Sequence, residues 1–303
     1  MGTPEFAVPS LRRLLEEAYE VVGVITAPDK MGGRGKKQRL ESAVKRFARQ
    51  KGLRVLQPKN LKDPHFLEEL RSLGPQLQVV VAFRMLPRQV WNMPELGTIN
   101  LHASLLPKYR GAAPINWAII RGEHETGLTT FFINEQIDTG DMLRQLRVPI
   151  RPDDTAGDLH DRLMAAGSDL LLQTVQAIER GEAKPVPQAH REATPAPKIY
   201  HDTCRIDFDQ PTGAVYNFIR GMSPYPGAWT TLDGKEFKIL EARPVSLKHP
   251  NRPGNLLTDN KQWMHIATQD GAIEAQKVKM EGRRAMAITD FLNGYDLSAS
   301  RIG

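Results

Sequence analysis

Asn100-Leu-His-Ala-Ser-Leu-Leu-Pro-Lys-Tyr-Arg-Gly-Ala-Ala-Pro114 closes an apolar run and opens into a turn. In a strand, successive side chains alternate faces, so Asn100 and His102 share one side and Leu101 points to the other. Asparagine offers an amide donor and histidine exchanges a proton near pH 7, while Ser104 and Pro107 turn the chain away and leave the pair at an open strand end. Ligands of open α/β sheets bind at such ends. Asn-x-His alone is equally the mark of a polar strand terminus with a satisfied histidine, so its surroundings have to decide.

Upstream, the chain alternates strands and helices. A helix capped by Thr3 is expected up to about residue 20, then strands at Val21 to Ala27 and Arg54 to Leu56, a helix from Pro64 to Leu73, and a nearly continuous apolar strand from Leu77 to Phe83. Apolar strands without alternation are buried on both faces, which predicts a parallel sheet with helices on each side. Downstream come a helix over Ile115 to Ile120, a strand over Thr129 to Ile133, and a long helix through Leu159, Leu163, Leu170, Leu171, Val175 and Ile178 that stops at Gly181. The Pro-, Ala- and charge-rich stretch to Cys204 has no period and reads as a linker. Beyond it, a helix from Ala214 to Arg220 precedes short strands at Ala228 to Leu232, Phe237 to Ala242, Trp263 to Ala267 and Ala272 to Met280, the pattern of a small barrel.

The 303 residues suffice for two domains. A single cysteine, Cys204, excludes an intramolecular disulfide and a cysteine zinc cluster, and His201 beside it lacks the further ligands a metal needs. No apolar run approaches a membrane span, so a cytoplasmic protein is expected. The net charge of +6 suits a polyanion. Its strongest concentration is Asp29-Lys-Met-Gly-Gly-Arg-Gly-Lys-Lys-Gln-Arg39. A phosphate-binding P-loop fails there, because Lys30 stands where its first glycine belongs and Lys37 where serine or threonine belongs. Either this is a solvated basic face or a loop whose glycines let Arg34, Lys36 and Lys37 approach an RNA backbone. Asp138-Thr-Gly140 is shared with aspartic proteases, but no second copy exists and Asp141 follows the glycine.

Ser104-Leu-Leu-Pro107 followed by Arg110-Gly-Ala-Ala-Pro114 resembles the folate-site signature of the formyltetrahydrofolate-dependent formyltransferases, and the resemblance runs from Gly2 to Leu292. It is strongest to the branch that formylates initiator methionyl-tRNA for translation initiation. The resemblance implies an α/β, Rossmann-like, mostly parallel sheet flanked by helices in residues 1–183, a linker over 184–204, and a small OB-like β-barrel over 205–303 that helps hold tRNA. It assigns Asn100, His102 and Asp138 to catalysis, Ser104, Leu105, Leu106 and Pro107 to the folate, and Arg34, Lys36 and Lys37 to the tRNA acceptor end. Formyltetrahydrofolate is the implied donor, and no metal is required; a monomer without membrane contact is expected. The chain departs from the family in two places. The strand that should precede Gly2 is missing, as if by a misassigned start or truncation, and Phe83-Arg84 replaces the usual Tyr-Gly. A sugar-nucleotide formyltransferase shares Asn-x-His and is the rival. Glycinamide ribonucleotide formyltransferase fits less well, since its chain ends near the linker, and a plain RNA-binding module leaves the three polar residues unexplained.

Overall fold

Val79, Val80 and Val81 are β-branched residues in a run too apolar for one solvated face, and in the computed structural model they lie in parallel register with Ile99, Asn100 and Leu101. The structure describes residues 1–32, 38–247 and 252–303. Arg34, Lys36 and Lys37, read as an RNA-contacting loop, lie outside the described residues. By packing, the chain divides into two compact units. One comprises Met1–Gly111, Thr126–Val148 and His160–Pro195, and the other Ala112–Glu125, Pro149–Leu159 and Ala196–Gly303.

In the first unit the strands Gln78–Val81, Thr98–His102, Glu125–Phe132 and Met142–Pro149 follow one another across a sheet. The first pair is parallel, but Thr98–His102 runs antiparallel to Glu125–Phe132, with Asn100 opposite Phe131 and His102 opposite Thr129. The parallel expectation therefore holds on one side of the central strand only. Met142–Pro149 escaped the sequence reading because it is an outer strand with an exposed middle, Arg144, Gln145, Leu146 and Arg147, so it carries no apolar period. Charges on an outer strand also discourage pairing with other chains.

A parallel pair, Val24–Ile25 with Val55–Leu56, forms a separate ladder. Met1 and Gly2 bridge it to the larger sheet: Gly2 N donates to Ile25 O at 3.0 Å, Val81 N donates to Met1 O at 2.9 Å, and Gly2 pairs in parallel with Val81. The Met1 ammonium donates to Val79 O at 2.6 Å, and burial pushes it down to about 5. Beside Met1 lies a cavity of about 620 Å³ lined by Val22, Val24, Ile25, Leu77 and Val79 together with Glu20, Gln76, Gln78 and Glu179. Because Met1 and Gly2 are extended, the first helix also differs from expectation: Thr3 caps nothing, and a 3₁₀ turn over Glu5–Ala7 leads into the helix Val8–Glu16. Asp63 does cap its helix, Pro64–Ser72, by accepting from His65 N at 2.9 Å.

Beside the basic stretch, Asp29 accepts from Arg39 and Lys45, each at 2.6 Å, and Glu41 pairs with Lys45 and Arg49. The Gln57 amide, then Lys45, drive the Asp29 carboxyl down to about 2. The two local carboxylates are thus spent on three of the local cations.

In the second unit the strands Ala228–Leu232, Lys235–Val245, Ala272–Met280, Met264–Ala267 and Leu256–Thr258 form an antiparallel sheet in that spatial order, with Met286–Ala287 paired onto Ala272–Met280. Register breaks around Glu241 bend it into a half-barrel. The helix Thr212–Met222 sets Val215, Ile219 and Met222 into the core with Ile239, Ile266 and Val278. On its surface Arg243 pairs with Glu274 and Lys277 with Glu241, which leaves the charge locally balanced.

Candidate active site

The site is built wholly from the first unit. His102, the last residue of the strand Thr98–His102, is 6% exposed. Its Nε2 lies 2.9 Å from the carbonyl oxygen of Tyr109. A carbonyl can only accept, so Nε2 carries the proton, and Nδ1 is the basic nitrogen of the neutral ring. Nδ1 stands 3.7 Å from Asp138 Oδ2. Two positions back on the same face, Asn100 is half-buried and its carboxamide has no hydrogen-bond partner among the described residues.

Asp138 lies in the loop after Glu125–Phe132, at φ +54, the left-handed region in which aspartate is tolerated better than most residues. Gly111 N donates to its Oδ2 at 2.9 Å. At Gly140 a Cβ would come within 1.7 Å of the Phe132 carbonyl oxygen, so only glycine lets the loop close against the strand. The structure therefore brings Asp138 to His102 across 36 residues of sequence, with Asn100 two positions before His102 on the same strand.

The turn Ser104–Pro107 is wired from inside. Ser104 Oγ donates to Lys108 O at 2.6 Å, Leu106 N donates to Thr129 Oγ1 at 3.1 Å, and Thr129 Oγ1 donates to Ser104 O at 2.7 Å. Gln145 Nε2 donates to Leu106 O at 2.8 Å. Ser104, Leu106 and Pro107 are buried, and half-buried Leu105 packs on Gly127. The Leu106–Pro107 peptide is cis. Such a turn offers a ligand a fixed backbone and an apolar wall rather than loose side chains. At the atypical Phe83-Arg84, the Arg84 guanidinium lies over the Phe83 ring and donates to the carbonyls of Pro58 and Lys59.

No group of three or more His, Cys, Asp or Glu side chains suited to a metal stands together among the described residues. In the second unit His201 stacks on Trp229 and pairs with Glu236 at 2.6 Å, and Cys204 Sγ donates to Tyr200 O. Glu236 holds His201 above its ordinary value, and burial raises the Cys204 thiol.

Residues 1–175 match the model of the formyl transferase domain, and residues 198–296 match that of the formyl transferase C-terminal domain. The chain belongs to the formyl transferase family. It is 52% identical to the methionyl-tRNA formyltransferase of Parabacteroides distasonis over 97% of this chain and 94% of that one. It is 53% identical to that of Phocaeicola vulgatus over 98% and 95%. A sugar 3N-formyltransferase, WlaRD, solved in the presence of dTDP and 5-N-formyl-THF, shares the fold with a TM-score of 0.65 at 20% identity over 93% of this chain and 97% of that one. HypX from Aquifex aeolicus in complex with tetrahydrofolic acid shares it with a TM-score of 0.62 at 23% identity over 83% of this chain and 44% of that one.

Four residues of this formyl transferase's site went unread in the sequence. Thr129 and Gln145 staple the turn, Arg110 lies within the signature without an assigned role, and Gln188 falls in the supposed linker. The first two sit on strands whose neighbours gave no hint of a ligand. Gln188, in Pro-Val-Pro-Gln-Ala, belongs to no periodic element, and its four hydrogen bonds join segments 78 and about 50 residues away.

Proposed function

We propose that this formyl transferase moves the formyl group of formyltetrahydrofolate onto the α-amino group of methionine carried by initiator methionyl-tRNA. The observation that carries this reading is the full-length likeness, at about half identity, to methionyl-tRNA formyltransferases across both family domains.

Amine attack on the formyl carbon places negative charge on the formyl oxygen, and the departing folate nitrogen needs a proton. The open Asn100 carboxamide suits the first need, as an amide N–H fixed on a strand end. His102 suits the second. Its Nδ1 is free to take the amine proton, and the resulting imidazolium is held by Asp138 on one side and Tyr109 O on the other. The same proton then passes from Nδ1 to the leaving nitrogen, so the ring ends as it began. Asp138 Oδ2 is fixed by Gly111 N. The Ser104–Pro107 turn supplies the folate's wall, and Arg34, Lys36 and Lys37 contact phosphates at the tRNA acceptor end, with the half-barrel unit as a second support.

The test is transfer from formyltetrahydrofolate to charged initiator tRNA beside transfer to an amino-sugar nucleotide. The reading predicts turnover on the tRNA and background on the sugar, and the reverse pattern overturns it.

A further inference from the structure

Gln188 is 5% exposed and uses every hydrogen-bonding valence of its carboxamide. Its Oε1 accepts from Arg110 Nε at 3.1 Å and Nη2 at 2.6 Å. Its Nε2 donates to the carbonyl of Asp138 at 3.0 Å and to that of Gly140 at 2.8 Å. One side chain therefore ties the arginine of the signature segment to the two carbonyls that flank Thr139. Arg110 is held in turn by His190 Nδ1, 3.1 Å from Nη2, and its charge faces Asp138. The segment bearing Gln188 is itself fixed by paired bonds between Met142 and Val186, each 2.8 Å.

We infer that Gln188 is the positioning residue that holds Asp138 against His102, with Arg110 orienting the Gln188 amide. The backbone at Asp138 sits at φ +54, so the loop does not keep this shape by local preference. Among the described residues its carboxylate takes a hydrogen bond from Gly111 N alone, while its main chain is anchored by Gln188. Arg110 can only donate, which forces Gln188 Oε1 toward it and aims both Nε2 hydrogens at the loop carbonyls. Without those donors, Asp138 can rotate away from a contact that is already 3.7 Å. Displacements of about 1 Å at a reacting centre cost up to 100-fold in rate.

This inference rests on the proposed formyl transfer, so transfer by the unmodified protein is measured first and judges that reading alone. Gln188→Glu is the informative variant. It keeps the bonds from Arg110 but replaces the two donors with an acceptor facing two carbonyls; Gln188→Ala removes both sets. Each should lower kcat by on the order of tenfold or more with KM for folate and tRNA within a few-fold. In an Asp138→Ala background, neither should lower it further, because there is no carboxylate left to place. Independently of activity, a crystal structure of Gln188→Glu should show Asp138 withdrawn from His102. Wild-type kcat in Gln188→Glu, equal losses in both backgrounds, or an unmoved Asp138 in that crystal structure overturns the role.

Discussion

His102 Nδ1 and Asp138 Oδ2 stand 3.7 Å apart, outside hydrogen-bond range, while the other ring nitrogen is committed to the Tyr109 carbonyl at 2.9 Å. The pair is poised rather than locked. In the proposed mechanism a proton arriving on Nδ1 draws the carboxylate in, and a neutral ring leaves Nδ1 open to the substrate amine. Asp138→Asn keeps the shape and removes the charge that favours imidazolium. It should lower kcat about 100-fold or more while folate affinity stays within a few-fold. Stopped-flow transfer with a parallel folate titration checks this, and equal effects on kcat and folate binding would contradict it.

Gly140→Ala should disturb the same loop from the backbone. A Cβ 1.7 Å from the Phe132 carbonyl oxygen cannot be absorbed by a side-chain movement. The loop must lift, at a cost of about 1–3 kcal/mol, and Asp138 leaves with it. Denaturant unfolding should show the loss of stability, and turnover should fall as in the Asp138 variants. A variant with unchanged stability and rate would show that the loop closes in some other way.

The cavity beside Met1 gives a stability prediction with a definite sign. The Met1 ammonium has a lowered value of about 5, against an ordinary value of 8.0. The unfolded chain thus binds a proton between pH 8 and 5 that the folded chain refuses, and stability falls as pH drops through that window. Three pH units correspond to about 4 kcal/mol at the acid end. Joining a short extended apolar segment ahead of Met1 converts the titrating amine to an amide and places apolar atoms in the adjoining cavity. The extended chain should melt higher and lose this pH dependence. Melting curves from pH 5 to 8 on both chains decide it, and parallel curves would contradict it.

For Arg34, Lys36 and Lys37, replacement of all three by alanine should flatten the salt dependence of tRNA affinity by about one unit of logarithmic slope per lost contact. Folate affinity should hold, because the proposed folate turn Ser104–Pro107 lies at the end of the strand Thr98–His102. A salt slope identical to that of the unmodified protein removes these residues from the tRNA interface.

How far the sequence could be read depended on how each feature is encoded. The apolar run at Gln78–Val81 declares itself by composition, Ala272–Met280 by its partial alternation of buried and exposed residues, and the Asn100–His102 pair by its spacing on one strand. The antiparallel turn of the sheet at Glu125–Phe132 did not, since apolar content marks burial and says nothing of strand direction. Met142–Pro149 was silent because an outer strand need not alternate. Gln188 was silent for a different reason: hydrogen bonds to loop carbonyls depend on where the chain returns, and no local pattern of residue types records that.

In the proposed mechanism His102 is the group that carries the proton. The deciding measurement is single-turnover formyl transfer to charged initiator tRNA by His102→Ala beside the unmodified protein, with melting temperature and folate affinity recorded for both. A rate at least about 100-fold lower in a protein that melts normally and binds folate normally is the predicted result. A rate within a few-fold of the unmodified protein would contradict it.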